Sequence, residues 1–395
     1  MQTEPLPTSD NRMILSEDQS VALDKIMDWI GTDKQVLTLG GLAGTGKSTL
    51  VDTIFRNTLT RISVCAYTGK AAHVLRTKGL KEAQTIHSLI YQPVDTCPKC
   101  GQQIERDEEA LHVRPTCPRS ACNFSVSETT FVKVRSLRAD LIIVDEASMV
   151  SQRLHDDLLS FDKQILYVGD HGQLEPIGNN PNLMHDPEIR LEKIHRQAEG
   201  SDILRFAHAV RNHEMPKSTG PNAVVLEAHE TPLDIANFDV VLCGLNTTRV
   251  DINSEIRKAR GYTSDLPEPG ERVVCLRNSK KHGIFNGMIA EIVRVRINRM
   301  SRPTIDILLD DGGTRCGLPF DPEQFGAEKI RENSSRNVEL FDYGYCLTCH
   351  KSQGSEYDSV LVLEWIHRET SASRWRYTAA TRAKKRLVWC LSPSR

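Results

Sequence analysis

The chain of 395 residues lacks any run approaching the ~18 consecutive apolar residues of a membrane span. That excludes a protein threaded through a bilayer by helices. It also lacks an excess of either charge, with 50 Lys and Arg against 52 Asp and Glu and a formal net charge of −2. No global field draws it to nucleic acid, so any such binding has to come from local grooves. Internal repeats and low-complexity tracts are missing too, which excludes solenoids and long biased linkers. The opening Met1-Gln-Thr-Glu-Pro-Leu-Pro-Thr8 has no charged-then-apolar pattern, and the expected location is cytoplasmic.

Cysteine is present in an odd number, eleven. Cys65, Cys243 and Cys390 sit singly in apolar runs, where a reduced thiol behaves as a small hydrophobe, and this argues against a disulfide framework. Four others are paired: Cys97-Pro-Lys-Cys100 and Cys117-Pro-Arg-Ser-Ala-Cys122 are separated by sixteen residues. Two such knuckles can place four thiolates tetrahedrally around Zn²⁺, and four ligands close the coordination sphere, so the expected metal is structural. Cys346-Leu-Thr-Cys349 also has C-x-x-C spacing, but it lies in an extended-looking segment where residues three apart point to opposite faces, which disfavours a redox pair.

What is abundant is nucleotide chemistry. Gly41-Leu-Ala-Gly-Thr-Gly-Lys-Ser48 has the spacing of a phosphate-binding loop, in which glycines let backbone N–H groups curl round phosphates. Lys47 is placed to reach the β and γ phosphates of ATP, and Ser48 to hold Mg²⁺. The loop follows an apolar strand, 35–39, and opens a helix, 47–59, whose N-terminus favours anions. A second apolar run, Leu141-Ile-Ile-Val144, ends in Asp145-Glu146. A strand buried on both faces would deliver these acids at its carboxyl end, Asp145 towards Mg²⁺ and Glu146 towards the attacking water.

Strand and helix alternate along the chain: strand 62–66, helix from 69, strand 141–144, helix 151–160 and strand 164–168, then helix 201–214, strand 239–243, helix 247–260, strand 359–363, helix 374–385 and strand 387–390. A first helix begins near Ser16, with apolar residues at Val21, Leu23, Ile26, Met27 and Ile30. Two interruptions stand out. Residues 92–130 hold the cysteine pairs, and 268–340 contain short strands, 271–276, 288–295 and 304–309, broken by Gly and Asp turns, as in a small β-barrel. Trp375, Tyr377 and Trp389 read as core, and the basic clusters at 294–302 and 374–386 read mainly as solvated faces.

The remaining motifs are ordered. Ala66-Tyr-Thr-Gly-Lys70, Thr85-Ile-His87, Asp145-Glu-Ala-Ser148, Gly169-Asp-His-Gly-Gln173-Leu, Arg196-Gln, His350-Lys-Ser-Gln-Gly-Ser-Glu356 and Thr381-Arg382-Ala follow one another. With Gln19 and the phosphate loop, this set resembles superfamily 1 helicases, specifically the 5′-to-3′ branch of RecD-like and phage Dda-type enzymes, over about residues 15–390. The resemblance implies an α/β chain with two RecA-like domains: 1–91 with 131–185, and 186–267 with 341–395. It implies a zinc-binding or pin-like insertion at 92–130 and an SH3-like β-barrel at 268–340. Lys47, Glu146, Gln173, Arg196 and Arg382 would be catalytic. Gln19, Gly41, Gly44, Thr45, Gly46, Lys47, Ser48, Thr49, Asp145 and Glu356 would hold ATP, with Gln19 on adenine and Glu356 near the ribose. Thr68, Lys70, His87, Thr348 and His350 would contact single-stranded DNA, and the chain would act as a monomer at duplex junctions beside replication or repair proteins. Glu175 departs from the family, which often carries Pro there. An ATP-switched remodeller or loader that separates no strands, and an RNA-directed helicase, remain alternatives. For the cysteine segment, a strand-splitting pin and a stabilising or partner-docking ornament both stay open.

Overall fold

The computed structural model describes residues 15–97, 99–100, 103–105, 128–175, 182–193, 200–227, 234–279, 281–298, 301–310, 312–331, 338–365 and 371–391. The chain opens with α1 (Glu17–Trp29), where Ser16 and Gln19 form a reciprocal capping box. Ala22, Ile26 and Trp29 are buried and Leu23 and Ile30 pack against the same core, whereas Val21 of the expected apolar line is 49% exposed.

Next come β1 (Val36–Gly41), α2 (Lys47–Asn57), β2 (Ile62–Ala66), α3 (Gly69–Thr77), β3 (Gln84–Thr85), α4 (Ile86–Ile90), β4 (Tyr91–Thr96), β5 (Gln103–Glu105), β6 (Glu128–Lys133), β7 (Leu141–Asp145), α5 (Gln152–Leu159), β8 (Gln164–Gly169) and β9 (Ile189–Leu191). Six of these strands make one parallel sheet in the order β3-β2-β7-β8-β1-β9. The four leading residues of β7 are fully buried, as its unbroken apolar run requires of a central strand covered on both faces. At the segment expected to be a zinc-binding or pin-like insertion, 92–130, β4 pairs antiparallel with β5 and β6 in a small three-stranded sheet.

The second half contains α6 (Asp202–Arg211), β10 (Ser218–Gly220), β11 (Ala223–Leu226), β12 (Val240–Cys243), α7 (Asn246–Ala259), β13 (Arg272–Cys275), β14 (Ile289–Asn298), β15 (Ser301–Leu309), β16 (Thr314–Pro319), β17 (Phe341–Tyr343), β18 (Cys346–Thr348), β19 (Tyr357–Leu363), α8 (Ala372–Ala380) and β20 (Ala383–Cys390). The order β10-β11-β20-β19-β12-β18 is parallel from β11 onward. The expected helix 374–385 is corrected: it stops at Ala380, and the basic residues from Lys384 to Arg386 lie on the exposed first half of β20. Pairing of Ala383 with Tyr357 of β19 claims the backbone there, so the helix cannot continue.

The interruption at 268–340 is a five-stranded antiparallel sheet, β16-β15-β14-β13-β17. Among the described residues its two edges meet in one isolated bridge, Phe320 to Glu339. Its core is Val273, Cys275, Ile292, Ile305, Ile307, Phe320 and Phe341. Two buried ion pairs fasten it to α7. Arg249 pairs with Asp342, both 2% exposed, and Arg257 grips Glu271 through Nε at 2.6 Å and Nη2 at 3.1 Å. The guanidinium of Arg257 also lies 4.2 Å from the ring centre of Tyr343.

Removing one member of such a pair strands the other charge in the interior, at a cost of about 3–5 kcal/mol. Arg249→Met is therefore expected to lower the thermal unfolding midpoint by several degrees, and a midpoint equal to that of the parent would show that the pair carries no stability.

Candidate functional site

The carboxyl ends of β1, β7 and β8 converge, as the crevice rule for parallel sheets requires. After β1, the chain turns through Gly44 (φ 82°) and Gly46 (φ 77°), both left-handed. Gly41 is needed for close approach: a Cβ there would stand 2.5 Å from Thr45 Oγ1. Inside the loop, Lys47 Nζ donates to Gly41 O at 2.6 Å and Leu42 O at 3.1 Å, and Thr45 Oγ1 donates to Leu42 O at 2.8 Å. Gly46 caps α2 with no acidic residue in the first turn, leaving the positive helix end for an anion.

Asp145 and Glu146 follow β7. Glu146 adopts a left-handed conformation (φ 54°), a strained one for a side chain of this size, and its N–H donates to Asp145 Oδ1 at 2.9 Å. Burial raises the Glu146 carboxyl to about 7, the adjacent Asp145 charge adds to that, and Arg382 and Lys47 oppose it. A base poised near neutrality suits proton transfer from water. Burial likewise pushes Asp145 up, against the pull of the Glu146 N–H, Lys47 and Lys78. Glu146 Oε2 is buried without a hydrogen-bond partner. Ser48, Asp145 and Glu146 therefore offer oxygen donors, one of them unsatisfied, which fits a hard cation such as Mg²⁺.

These groups line a cavity of about 670 Å³ together with Lys70, Gln173, Glu356, Arg382 and Lys384. The second sheet thus supplies one wall. Arg382 is 4% exposed and held by Thr378 O, Ser355 O and Thr381 Oγ1, each at 3.0 Å. Gln173 is buried, its Nε2 donating to Asp170 Oδ2 at 3.4 Å while its Oε1 has no partner. Arg196 lies outside the described residues.

Gln19, expected on adenine, lies against the phosphate loop. It is 1% exposed, its Nε2 donates to Thr45 O at 3.3 Å and Gly46 O at 3.4 Å, and its Oε1 accepts from Ser16 N at 3.0 Å. In this conformation it braces the phosphate loop. Of the expected single-strand contacts, Thr68 accepts from Ala71 N at 3.1 Å and Thr348 from Lys351 N at 3.4 Å, so both hydroxyls cap short helical turns. Lys70 lies over the Tyr357 ring at 4.9 Å and lines the cavity. His87 is exposed and His350 half-buried, and desolvation lowers the pKa of each. No hydrogen bond or ring contact among the described residues joins these five to one another.

Sequence reasoning missed several residues of this site. Lys78 donates to Ser48 Oγ at 3.4 Å, and Met288, Ile289 and Asp310 bring the antiparallel sheet to the cavity wall. No periodicity or spacing marks them; only the tertiary fold does. Tyr377 was legible as core and is fully buried, but its hydroxyl contacts were not. Glu175, the departure from the family pattern, pairs with Arg374 at 2.8 Å across the two sheets.

Gly41→Ala should force Thr45 and Lys47 outward and weaken binding of a fluorescent ATP analogue by about tenfold or more, the usual scale of overpacking. An unchanged affinity would mean that the loop tolerates the methyl group and is not a tight cradle.

A model of the AAA domain matches residues 14–227, and one of the UvrD-like helicase C-terminal domain matches residues 343–389. The ATP-dependent RecD2 DNA helicase of Deinococcus radiodurans is 28% identical over 415 residues, which cover 94% of this chain and 48% of that protein. The ATP-dependent DNA helicase dda of Enterobacteria phage T4 is 28% identical over 199 residues, 48% of this chain and 39% of that one. The chain thus spans about half the length, or less, of these curated relatives. Among solved structures, Pif1 helicase at forked double-stranded DNA shares the fold with a TM-score of 0.59 at 19% identity, covering 95% of this chain and 92% of that one. Bacteroides Pif1 in complex with ADP-AlF3 and single-stranded DNA has a TM-score of 0.57 at 18% identity, covering 95% and 92%. With a family model over more than half of its length and the phosphate loop and acids at one crevice, the chain belongs to the AAA-domain family.

Proposed function

We propose that the chain is an ATP-dependent DNA helicase that moves 5′ to 3′ along single-stranded DNA, hydrolysing ATP between its two parallel sheets. The observation that carries this reading is the shared cavity: Lys47, Ser48, Asp145 and Glu146 come from the first sheet, Glu356 and Arg382 from the second. A nucleotide gripped from both sides would draw the sheets together, and loss of its terminal phosphate would release them. Ser48 and Asp145 would hold Mg²⁺, which when bound supplies charge neutralisation for the phosphates. Lys47 would bind the β and γ phosphates, Glu146 would take a proton from the attacking water, Gln173 would orient that water, and Arg382, with Arg196, would stabilise the charge on the transferring group. The relatives' names support DNA as the track.

The reading divides the chain as the resemblance does, with 1–91 and 131–185 forming the first motor unit and 186–267 and 341–395 the second. In it the five-stranded antiparallel sheet is SH3-like and lies over the translocating strand. Thr68, Lys70, His87, Thr348 and His350 contact that strand's backbone without reading its bases. The cysteine pairs hold a structural Zn²⁺ that stiffens the β4–β6 ribbon, making it the pin that splits the duplex. Cys97 is buried and Cys100 half-buried just past β4, which suits ligands drawn inward, while Cys117 and Cys122 lie outside the described residues. Among the described residues alone, no group of three or more His, Cys, Asp or Glu side chains is arranged to hold a metal ion.

The deciding measurement is ATP-driven unwinding of matched duplexes carrying a 5′ or a 3′ single-stranded tail, with Lys47→Ala as the blank. Unwinding of the 5′-tailed duplex alone is expected; ATP hydrolysis without separation of either would favour the remodeller. A Cys97→Ser and Cys100→Ser double variant should lose bound zinc and strand separation yet keep most DNA-stimulated hydrolysis. Equal loss of both activities, or of neither, would sink the pin.

A further inference from the structure

One face of α8 is turned to the first sheet. Arg374, Tyr377 and Thr378 fall at i, i+3 and i+4, and each meets a loop at the carboxyl ends of the first sheet's strands. Arg374 pairs with Glu175 at 2.8 Å. Thr378 Oγ1 accepts from Leu174 N at 2.9 Å. Tyr377 makes the central contact: its hydroxyl accepts from the phosphate-loop N–H of Ala43 at 2.7 Å and donates to Asp170 Oδ2 at 2.8 Å. The same helix runs directly into Arg382.

From this geometry we infer that Tyr377 is a positioning residue for ATP hydrolysis, a latch whose hydroxyl sets the phosphate loop and the Gln173 loop in register with the helix that delivers Arg382. The inference rests on the cavity being the hydrolytic site proposed above. Three observations carry it. First, the hydroxyl is used fully, once as acceptor and once as donor, whereas the neighbouring buried indoles of Trp375 and Trp389 leave Nε1 without a partner. Those two side chains fill volume; the tyrosine hydroxyl joins parts. Second, the slot has no slack. A Cβ on Gly172 would lie 2.8 Å from Tyr377 Cε1 and 2.7 Å from Leu42 Cδ2. Third, Asp170 is 2% exposed and also accepts from Gly172 N at 2.8 Å and Gln173 Nε2, so a shift of the phenol passes directly to the amide that faces the cavity. Leu174 meanwhile packs in the core of the second sheet, with Leu42 and Ala43 against it, so the connected loops are held to that core by apolar contact as well.

Tyr377→Phe keeps the ring and removes both hydrogen bonds. Amide hydrogen exchange over Gly41–Lys47 is expected to quicken by about tenfold, as a lost buried hydrogen bond implies. Exchange over β12 and β19 should stay at the parent rate. In ATP turnover, kcat should fall by about tenfold with KM changed less than about twofold, the split expected when an interaction is lost in the transition state only. Unaltered exchange and kcat would overturn the latch, and so would equal quickening in β12 and β19, which would make the tyrosine a packing residue. Parent protein no more active than Lys47→Ala would instead refute the hydrolytic reading, and exchange at the phosphate loop would still judge the latch.

Discussion

How a buried carboxylate is satisfied governs the relation between the two parallel sheets. Asp170 sits just beyond β8 with almost no access to water, and a charge in that position needs donors supplied by the protein. Two donors come from its own loop and the third from α8 of the opposite sheet. Because the third crosses the crevice, the carboxylate gains all three donors only when the sheets face each other correctly. The cross-sheet contacts at Leu174 and Glu175 then follow from the same alignment.

The antiparallel sheet is attached by different means. Its buried ion pairs run to α7, and Arg257 and Arg260 also cover the rings of Tyr343 and Tyr345. Burial pushes the Asp342 carboxyl up while Arg249 pulls it back, which marks the pair as one whose members depend on each other. Such anchoring fixes orientation more strongly than an apolar patch, because guanidinium groups accept only a narrow geometry. The sheet therefore moves with the second half of the chain.

Much of this was legible in the sequence wherever an element is made by its own residues. The apolar runs at 62–66, 141–144 and 164–168 became central strands because burial on both faces demands unbroken hydrophobicity, and the phosphate loop declared itself through its glycines. Elements made by their neighbours were not legible. β3 and β9 are two or three residues long and exist only as partners of longer strands. The end of α8 was misjudged because Ala383–Arg386 has ordinary helix-forming composition, and only pairing with β19 draws it into a strand. At the site, the residue types carrying charge were readable, whereas Gln19 bracing the loop and Lys78 meeting Ser48 depend on distances no spacing encodes.

The wall that Met288, Ile289 and Asp310 lend to the cavity gives the molecule a thermodynamic character beyond catalysis. Three sheets border one space, none sharing strands with the others. A ligand bound there touches all three, so its binding free energy is added to the cohesion of the whole assembly rather than to one lobe. When that space is filled, heat or denaturant has to dismantle the three sheets together.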